Sequence, residues 1–128
     1  MKTKRMPALS IQQPWAWAIL YAGKDVENRK WKTAFRGRVV IHASKTYDWD
    51  GHNWLLNEGY HVPPPDTLPR GANVGEATIV DCVEVNGADR FSAWAFGPFA
   101  FLLDDPEPYA DPIPQRGALG FFTVEVPA

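Results

Sequence analysis

The sequence has a single cysteine, Cys82, so the chain contains no internal disulfide. Because Cys82 lies within an apolar stretch, the sequence favours a small buried side chain over a reactive thiol at this position. No run of 18 apolar residues is present, and the basic segment 1–7 is not followed by the hydrophobic region of a signal peptide. We therefore expect a soluble cytoplasmic protein without a membrane span.

Several chemical motifs are also missing. The three histidines, His42, His52 and His61, lack the spacing of metal ligands, and a lone cysteine offers no pair of thiolates. Gly23 and Lys24 are not preceded by the glycines of a phosphate-binding loop, and no serine stands in the context of a nucleophile elbow. The sequence therefore predicts neither a metal site nor a bound cofactor.

Negative charge is scarce in the first third of the chain and abundant afterwards. Residues 1–45 contain ten Lys or Arg and two acidic residues, a net charge of +8. Residues 46–128 contain three Lys or Arg and thirteen acidic residues, a net charge of −10. The overall charge of −2 argues against long-range attraction to a duplex, but a local basic surface suits a pocket or a short anionic ligand. A solvated basic strand face is the competing interpretation.

The patterns that are present predict a small α+β fold that is mainly β. The 128 residues suit one domain, to which we assign residues 8–128 after a flexible basic tail at 1–7. Five or six short strands and two or three short helices predict a β-barrel decorated by helices. Most of the twelve prolines lie in the second half of the chain, where they favour loops and short strands.

The first half of the chain begins with a strand over Ala8–Ile11 and a helix over Pro14–Ala22, whose first turn tolerates proline. From 24 to 31 the pattern alternates with a period of two, which is typical of a strand. A further strand follows at Val39–Ala43, and we expect it to pair with the strand before it.

The second half of the chain opens with a loop and then a helix within residues 44–60. Val74–Val85 has apolar residues on both faces, so it is expected to be a central strand. Strands are also predicted at Phe99–Leu103 and Gly120–Val126. The acidic, proline-rich segment 104–111 is predicted to be a loop between them.

Segment 23–31 concentrates the polar side chains that suit a binding or catalytic site. Glu27 and Arg29 project from one face of the predicted strand, about 7 Å apart, and Lys24 stands at its junction with the preceding helix. Arg29 is suited to an anionic oxygen, and Glu27 to an exocyclic amine of a base. A desolvated Lys24 is suited to act as a base or nucleophile. A salt bridge that only stabilises a barrel rim is the competing interpretation.

Aromatic and basic residues near this segment are further candidates for ligand contacts. Trp15, at a helix start, is positioned to stack on a base or to pack in the core, and Trp31 is open to the same two interpretations. His42 shares a predicted strand face with Arg38 and is read either as a ligand contact or as a rim histidine. The candidate phosphate anchors are Lys30, Lys32, Arg36 and Arg38.

Three segments resemble the signature of the ASCH domain family. They are 8–16 (Ala-Leu-Ser-Ile-Gln-Gln-Pro-Trp-Ala), 23–31 (Gly-Lys-Asp-Val-Glu-Asn-Arg-Lys-Trp) and 36–43 (Arg-Gly-Arg-Val-Val-Ile-His-Ala). The middle segment contains the diagnostic pattern Gly-x-Lys-x-x-Glu-x-Arg. Segments 75–82, 99–103 and 115–120 are similar to later strands of the family, so the resemblance extends from about Leu9 to Val126.

The resemblance implies a fold similar to the PUA domain, a small β-barrel with helices and a cleft lined by the motif residues. The family is associated with RNA binding, transcriptional coactivation and RNA processing. Some bacterial members are enzymes: one removes the acyl group from N4-acetylcytidine, and another has been described as a ribonuclease.

In the amidohydrolase type, the motif lysine is followed three residues later by a threonine nucleophile, and a later strand supplies a glutamate. This chain retains the lysine as Lys24, but Glu27 stands where that threonine would be. Glu76, or its neighbour Thr78, is the candidate for the later-strand role. The replacement argues against the threonine mechanism in this chain.

These observations favour a protein that binds RNA or a nucleotide in a cleft around Lys24, Glu27 and Arg29. The competing hypothesis is a metal-independent amidohydrolase of acylated cytidine, with Lys24 as the base and Glu27 or Glu76 orienting water. A protein-interaction adaptor that uses the acidic segment 104–111 is a third hypothesis. A ribonuclease ranks last, because no pair of catalytic histidines supports it.

Overall fold

The computed structural model describes residues 2–87 and 91–128. Within these residues the chain forms six strands, two α-helices and a 3₁₀ turn at Pro65–Thr67. The elements are β1 (Thr3–Gln13), α1 (Trp15–Tyr21), β2 (Val26–Arg29), β3 (Gly37–Tyr47), α2 (Trp49–Asn57), β4 (Ala72–Glu84), β5 (Phe99–Pro114) and β6 (Phe121–Pro127). The predicted α+β class, mainly β, is confirmed.

The six strands form one sheet in the order β2-β5-β4-β3-β1-β6. Strands β1 and β3 are parallel, and the other neighbouring pairs are antiparallel. The predicted central position of β4 is confirmed. Strands β2 and β6 lie at opposite edges without pairing to each other, so within the described residues the sheet is open rather than the closed barrel that was predicted.

The expected flexible tail does not hold for residues 3–7, which form the first half of β1. These residues pair with β6, with Lys4 opposite Val126 and Met6 opposite Val124. Met6 is buried in a small cluster with Val124 and Val126 on one face of the sheet. The apolar contact therefore orders a segment whose charge alone suggested a tail.

Strand β2 does not pair with β3 as predicted. It pairs with β5, with Val26 opposite Leu102 and Arg29 opposite Phe99. Val26 is fully buried in a cluster with Leu55, Trp94 and Ala100. The partner of β2 is thus set by packing against residues that are distant in sequence, and residues 30–36 connect the edge of the sheet to its middle.

The acidic segment 104–111 was predicted to be a loop, but it belongs to the 16-residue strand β5. Strand β2 pairs only with Phe99–Leu102, so the remainder of β5 has an open edge on that side. A proline there removes no ladder hydrogen bond with a neighbouring strand. The prolines of this segment are therefore compatible with its pairing to β4 on the other side.

The two helices lie where the sequence patterns indicated. Helix α1 follows a cis Gln13–Pro14 peptide bond and buries Ile19 and Leu20 against the sheet, in the main core cluster. Helix α2 begins after Asp48, because strand β3 continues through Tyr47. No helix among the described residues is both long and apolar enough to cross a membrane.

Candidate functional site

An open cleft of about 790 Å³ lies where the end of β1, the α1–β2 junction, the start of α2 and the segment 94–98 meet. Its lining combines charged side chains with several aromatic rings. The charged and aromatic lining residues are Trp15, Lys24, Glu27, Arg29, Lys30, Trp31, Asp48, Asp50, Trp54, Trp94 and Phe96. The motif residues therefore share one cavity with most of the tryptophans.

Glu27 lies between two cations at the base of this cleft. Its Oε1 is 3.3 Å from Lys24 Nζ, and its Oε2 accepts a hydrogen bond of 3.0 Å from Arg29 Nε. Lys24 and Glu27 are only 5% and 8% exposed. Glu27 and Arg29 come together because they are two residues apart on β2, as the alternating pattern predicted.

Lys24 reaches this group because the chain turns back after α1. Gly23 has a φ of +78°, a left-handed conformation that favours glycine, and the Lys24 backbone N–H donates to Ala18. The Nζ group also donates to the backbone carbonyl of Val26. Burial lowers the pKa of the Lys24 ammonium below its ordinary value of 10.5, and the nearby Glu27 carboxylate opposes this shift only in part.

Arg29 is fixed from two sides. Its Nε donates to Glu27, and its Nη2 donates to the backbone carbonyl of Ser10 at 2.9 Å. Its Nη1 makes no hydrogen bond within the described residues, and the side chain is 19% exposed. The guanidinium is therefore oriented in advance, with donor groups left for a ligand in the cleft.

Trp15 is fixed against the start of α2. Its Nε1–H donates to Asp48 Oδ2 at 2.8 Å, and the other oxygen of Asp48 caps the helix by accepting from the Gly51 N–H. A Cβ at Gly51 would lie 2.5 Å from the Trp15 ring, so glycine permits this close approach. The Lys24 Nζ lies 5.4 Å from the centroid of the same ring.

The other aromatic walls differ in exposure. Trp31 is 36% exposed and packs edge-on against Phe101 and Phe121. Trp94 is buried, with its ring centroid 5.6 Å from that of Trp54. Trp31 therefore offers accessible ring surface, whereas Trp94 mainly supports the wall formed by Trp54.

Asn28 shapes the cleft, although sequence reasoning did not select it. Its Nδ2 donates to the Trp94 carbonyl, and its Oδ1 accepts from the backbone N–H groups of Phe96 and Gly97. The side chain thus fastens the 94–97 segment to β2. In the sequence, Asn28 is distinguished only by its position between Glu27 and Arg29. The alternating pattern places its side chain on the opposite face of the strand from theirs.

Arg38 and Glu76 are not in the cleft. Arg38 pairs with Glu76 at 3.1 Å and with Glu107 at 3.1 Å, while Glu76 accepts from Tyr109. Tyr109 packs against a small apolar cluster that includes Val40, on one face of the sheet. Because β3 and β4 are antiparallel in this register, their even-numbered residues meet here rather than at the motif. Glu76 is therefore not placed to act with Lys24.

The remaining predicted contacts are also outside the cleft. Arg36 pairs with the exposed Asp81 at 3.3 Å. His42 is 1% exposed and lies in a second pocket, between Ser10 and the backbone carbonyl of Gln115. Trp15, Lys24, Glu27, Arg29 and Trp31 are thus brought together, and Arg36, Arg38, His42 and Glu76 are not.

The ASCH domain model matches residues 9–113, which is most of the chain. The chain belongs to the ASCH domain family. Activating signal cointegrator 1 of Homo sapiens is 29% identical over 119 residues, covering 85% of this chain and 20% of that protein. The Mus musculus protein of the same name is 28% identical over the same length and coverage. The chain spans about a fifth of the length of these relatives.

The matched region contains every residue that lines the cleft, from Ser10 to Pro98. Within the described residues, no group of three or more His, Cys, Asp or Glu is arranged to hold a metal ion. The cleft of this ASCH domain is lined by amine, guanidinium, carboxylate and indole groups.

Proposed function

We propose that this ASCH domain binds RNA or a nucleotide in the cleft formed by the Gly-x-Lys-x-x-Glu-x-Arg motif. The observation that carries the proposal is Arg29, whose guanidinium is held by Glu27 and Ser10 while Nη1 remains available beside accessible indole rings. A cation with a fixed orientation next to flat aromatic surfaces suits a planar base that carries carbonyl or phosphate oxygens.

Each side chain has a distinct role in this proposal. Trp15 and Trp31 provide ring surface for the base, and Arg29 donates to its oxygens. Sequence reasoning assigned Glu27 to an exocyclic amine, but both of its oxygens already contact cations. Glu27 is therefore a positioning residue, which orients Arg29 and compensates the charge of Lys24.

Lys30 is the best-placed phosphate anchor among the four that the sequence suggested. It lines the cleft and forms no ion pair within the described part of the chain. Arg36 and Arg38 are instead occupied by Asp81 and by Glu76 with its acidic neighbours. A phosphate bound by Lys30 would lie in the same cleft as the indoles.

The direct test compares Arg29→Ala with Arg36→Ala in titrations with cytidine monophosphate and a single-stranded hexaribonucleotide. Both variants lose one guanidinium, but Arg36 lies outside the cleft. A hydrogen bond to a charged group contributes about 1.5–3 kcal/mol, so Arg29→Ala should weaken binding about 10- to 100-fold. Arg36→Ala should bind like the wild-type protein.

Thermal unfolding of both variants checks that each remains folded. If folded Arg29→Ala bound both ligands as tightly as the wild-type protein, the cleft would not be the binding site. The same loss in both variants would indicate that general charge, rather than the cleft, determines binding.

A second candidate function rests on Lys24. Its amine lines the cleft, and its lowered pKa is suited to a general base. In amide hydrolysis of N4-acetylcytidine, water would add to the acetyl carbonyl, the C–N bond would break, and acetate and cytidine would leave. Glu27 stands in place of the threonine nucleophile, and Glu76 is remote, so this activity has less structural support.

Incubation with N4-acetylcytidine, followed by chromatography, separates the two functions. The binding function predicts no cytidine from the wild-type protein. Release of cytidine by the wild-type protein, with none from a folded Lys24→Met variant, would instead establish the amidohydrolase.

A further inference from the structure

A second pocket, of about 490 Å³, lies beside the cleft at the ends of β1 and β3. Residues 115–117, which follow β5, form its third side. Its lining includes the side chains of Ser10, His42, Ser44, Lys45 and Arg116, and none of its lining residues is acidic. This is unusual in a chain whose residues 46–128 have a net charge of −10.

The floor of this pocket is a fixed hydrogen-bonded group. His42 Nε2 lies 2.7 Å from the Gln115 carbonyl, which can only accept, so the neutral ring carries its hydrogen on Nε2. The Ser10 hydroxyl therefore donates to Nδ1 across 2.9 Å. A Cβ at Gly117 would lie 2.8 Å from His42 Cε1, so the absence of a side chain there lets the loop close over the imidazole.

The rim of the pocket is basic. Lys45 and Arg116 are exposed, and neither forms an ion pair within the described residues. Arg70 lies next to Lys45, because its Nη1 is 3.5 Å from the Lys45 carbonyl and its guanidinium lies over the Tyr47 ring, 5.8 Å from the centroid. Three cations that form no ion pair in the described part of the chain suit an anionic ligand.

Ser10 connects this pocket to the cleft. Its backbone carbonyl accepts from Arg29 Nη2 in the cleft, and its hydroxyl donates to His42 in the second pocket. Both cavities are therefore lined by the same residue of β1. A ligand that fills the cleft next to Arg29 therefore lies against a residue that also lines the second pocket.

We propose that the second pocket binds the phosphate that links the nucleotide in the cleft to its neighbour. The ligand of this ASCH domain is then a single-stranded RNA segment of two or more nucleotides, rather than a free nucleoside. This inference rests on the proposed function of the cleft. Lys45 and Arg116 are its phosphate-binding residues, and Arg70 extends the basic surface.

An exposed aromatic group distinguishes a nucleic-acid strand from a free phosphate ion as the occupant. Trp49 is 58% exposed, and its ring centroid lies 4.7 Å from that of Tyr47, the ring that Arg70 covers. Basic side chains that alternate with accessible rings are the pattern by which proteins bind single strands. A free phosphate ion has no base that could stack on these rings.

The test compares two variants that each lose two positive charges. Lys45→Gln/Arg116→Gln changes the pocket, and Lys2→Gln/Arg5→Gln removes two exposed cations from the start of the chain. Each is titrated with cytidine, a single-stranded hexaribonucleotide and inorganic phosphate at several salt concentrations. The pocket variant should bind the hexanucleotide at least about tenfold more weakly. Its slope of log affinity against log salt should be shallower by about 0.7, the contribution of one neutralised phosphate of a single strand.

The pocket variant should bind cytidine like the wild-type protein, and the control variant should retain its hexanucleotide affinity. If Arg29→Ala lost hexanucleotide binding while the pocket variant kept it, the cleft function would stand and this inference would fall. If the wild-type protein bound cytidine but no hexanucleotide, this inference would fall and the cleft function would stand; if it bound neither, both would fall. If inorganic phosphate bound the pocket while hexanucleotide affinity did not depend on Lys45 and Arg116, the pocket would be an anion site unrelated to nucleic acid, and the inference would also fall.

Discussion

Glu27 is the residue on which the geometry of the cleft depends. Its carboxylate contacts both Lys24 and Arg29, and it is 8% exposed. Without it, two cations would be buried together and Arg29 would lose one of the two contacts that orient its guanidinium. The cleft therefore contains a buried charge network, which is costly to desolvate, next to a partly accessible arginine. This combination suits a binding site better than a purely structural salt bridge.

The lowered pKa of Lys24 makes a prediction about stability and pH. In the window between its lowered pKa in the folded protein and the ordinary value of 10.5, the unfolded chain binds more protons than the folded chain. The free energy of unfolding should therefore rise with pH in this window, by at most about 1.4 kcal/mol per pH unit. Urea unfolding between about pH 7 and pH 10 measures this slope.

The Lys24→Met variant is the matched comparison, because it keeps much of the side-chain volume and removes the titrating group. Its stability should rise less steeply with pH than that of the wild-type protein. Identical slopes in the two proteins would contradict the effect of burial on Lys24. Measurements stay below about pH 10 because burial raises the pKa values of Tyr47 and Tyr109, which makes the folded state less stable as pH rises further.

The contact of Glu27 with Arg29 could be predicted from the sequence because it depends only on local geometry. Residues two apart on a strand share a face whichever strand lies beside them. The positions of Arg38 and Glu76 depend instead on the register of β3 against β4, which involves residues 38 positions apart. The family resemblance suggested Glu76 or Thr78 for a role beside Lys24, but neither composition nor periodicity encodes the register that instead places Glu76 beside Arg38.

At the scale of the elements, the cleft lies where the end of β1, the α1–β2 junction, the start of α2 and the segment 94–98 meet. Asn28 joins two of them, because its amide makes three hydrogen bonds to the backbone of the 94–97 segment. Asp48 joins another two, because it caps α2 and accepts from the Trp15 indole at the start of α1. These side chains fix the walls of the cleft through hydrogen bonds.

Asn28→Ala should therefore lower both stability and affinity. Loss of the amide leaves backbone groups of 94, 96 and 97 without their partner, at a cost of about 1–3 kcal/mol. Asn53→Ala, at an exposed position of α2, is the matched control and should change stability little. Urea unfolding and hexanucleotide titration of both variants measure the effects. Equal stability and affinity in the two variants would show that Asn28 does not hold the cleft wall.

Asp48→Ala should destabilise the protein by about 1–2 kcal/mol, the usual cost of removing a helix cap. It should also release the Trp15 indole, whose Nε1–H would lose its acceptor. Asp48→Asn keeps a side-chain oxygen in place and should cost less. Thermal unfolding and tryptophan fluorescence compare the two variants, and a larger loss in Asp48→Asn would contradict this role of the cap.

At the scale of the whole molecule, opposite charges from the two parts of the chain meet on one face of the sheet. Arg36 and Arg38, from the basic part, pair with Asp81, Glu76, Asp105 and Glu107 from the acidic part. Lys30, Lys45 and Arg116 form no ion pairs within the described residues and line the cleft or the pocket beside it. Positive charge that is not paired within the described residues is thus present at both cavities.

This pairing also bears on the adaptor hypothesis. Segment 104–111 belongs to β5, and Asp105 and Glu107 from this segment contact Arg38. Part of its negative charge is therefore compensated within the molecule.

The open sheet could not be predicted from the sequence. The number of strands and the α+β class follow from local patterns, whereas closure of the sheet depends on whether β2 and β6 pair with each other, and the sequence does not specify this.

The most direct test of the cleft assignment is a nuclear magnetic resonance titration of the ¹⁵N-labelled protein with a single-stranded hexaribonucleotide. The account predicts that the indole N–H signals of Trp15 and Trp31 and the Arg29 Nε–H signal shift with increasing RNA. The Arg38 Nε–H signal, which lies outside the cleft, should remain in place. Shifts confined to Arg38 and the 104–111 segment, or no shifts at saturating RNA, would contradict the proposal that this ASCH domain binds RNA in the motif cleft.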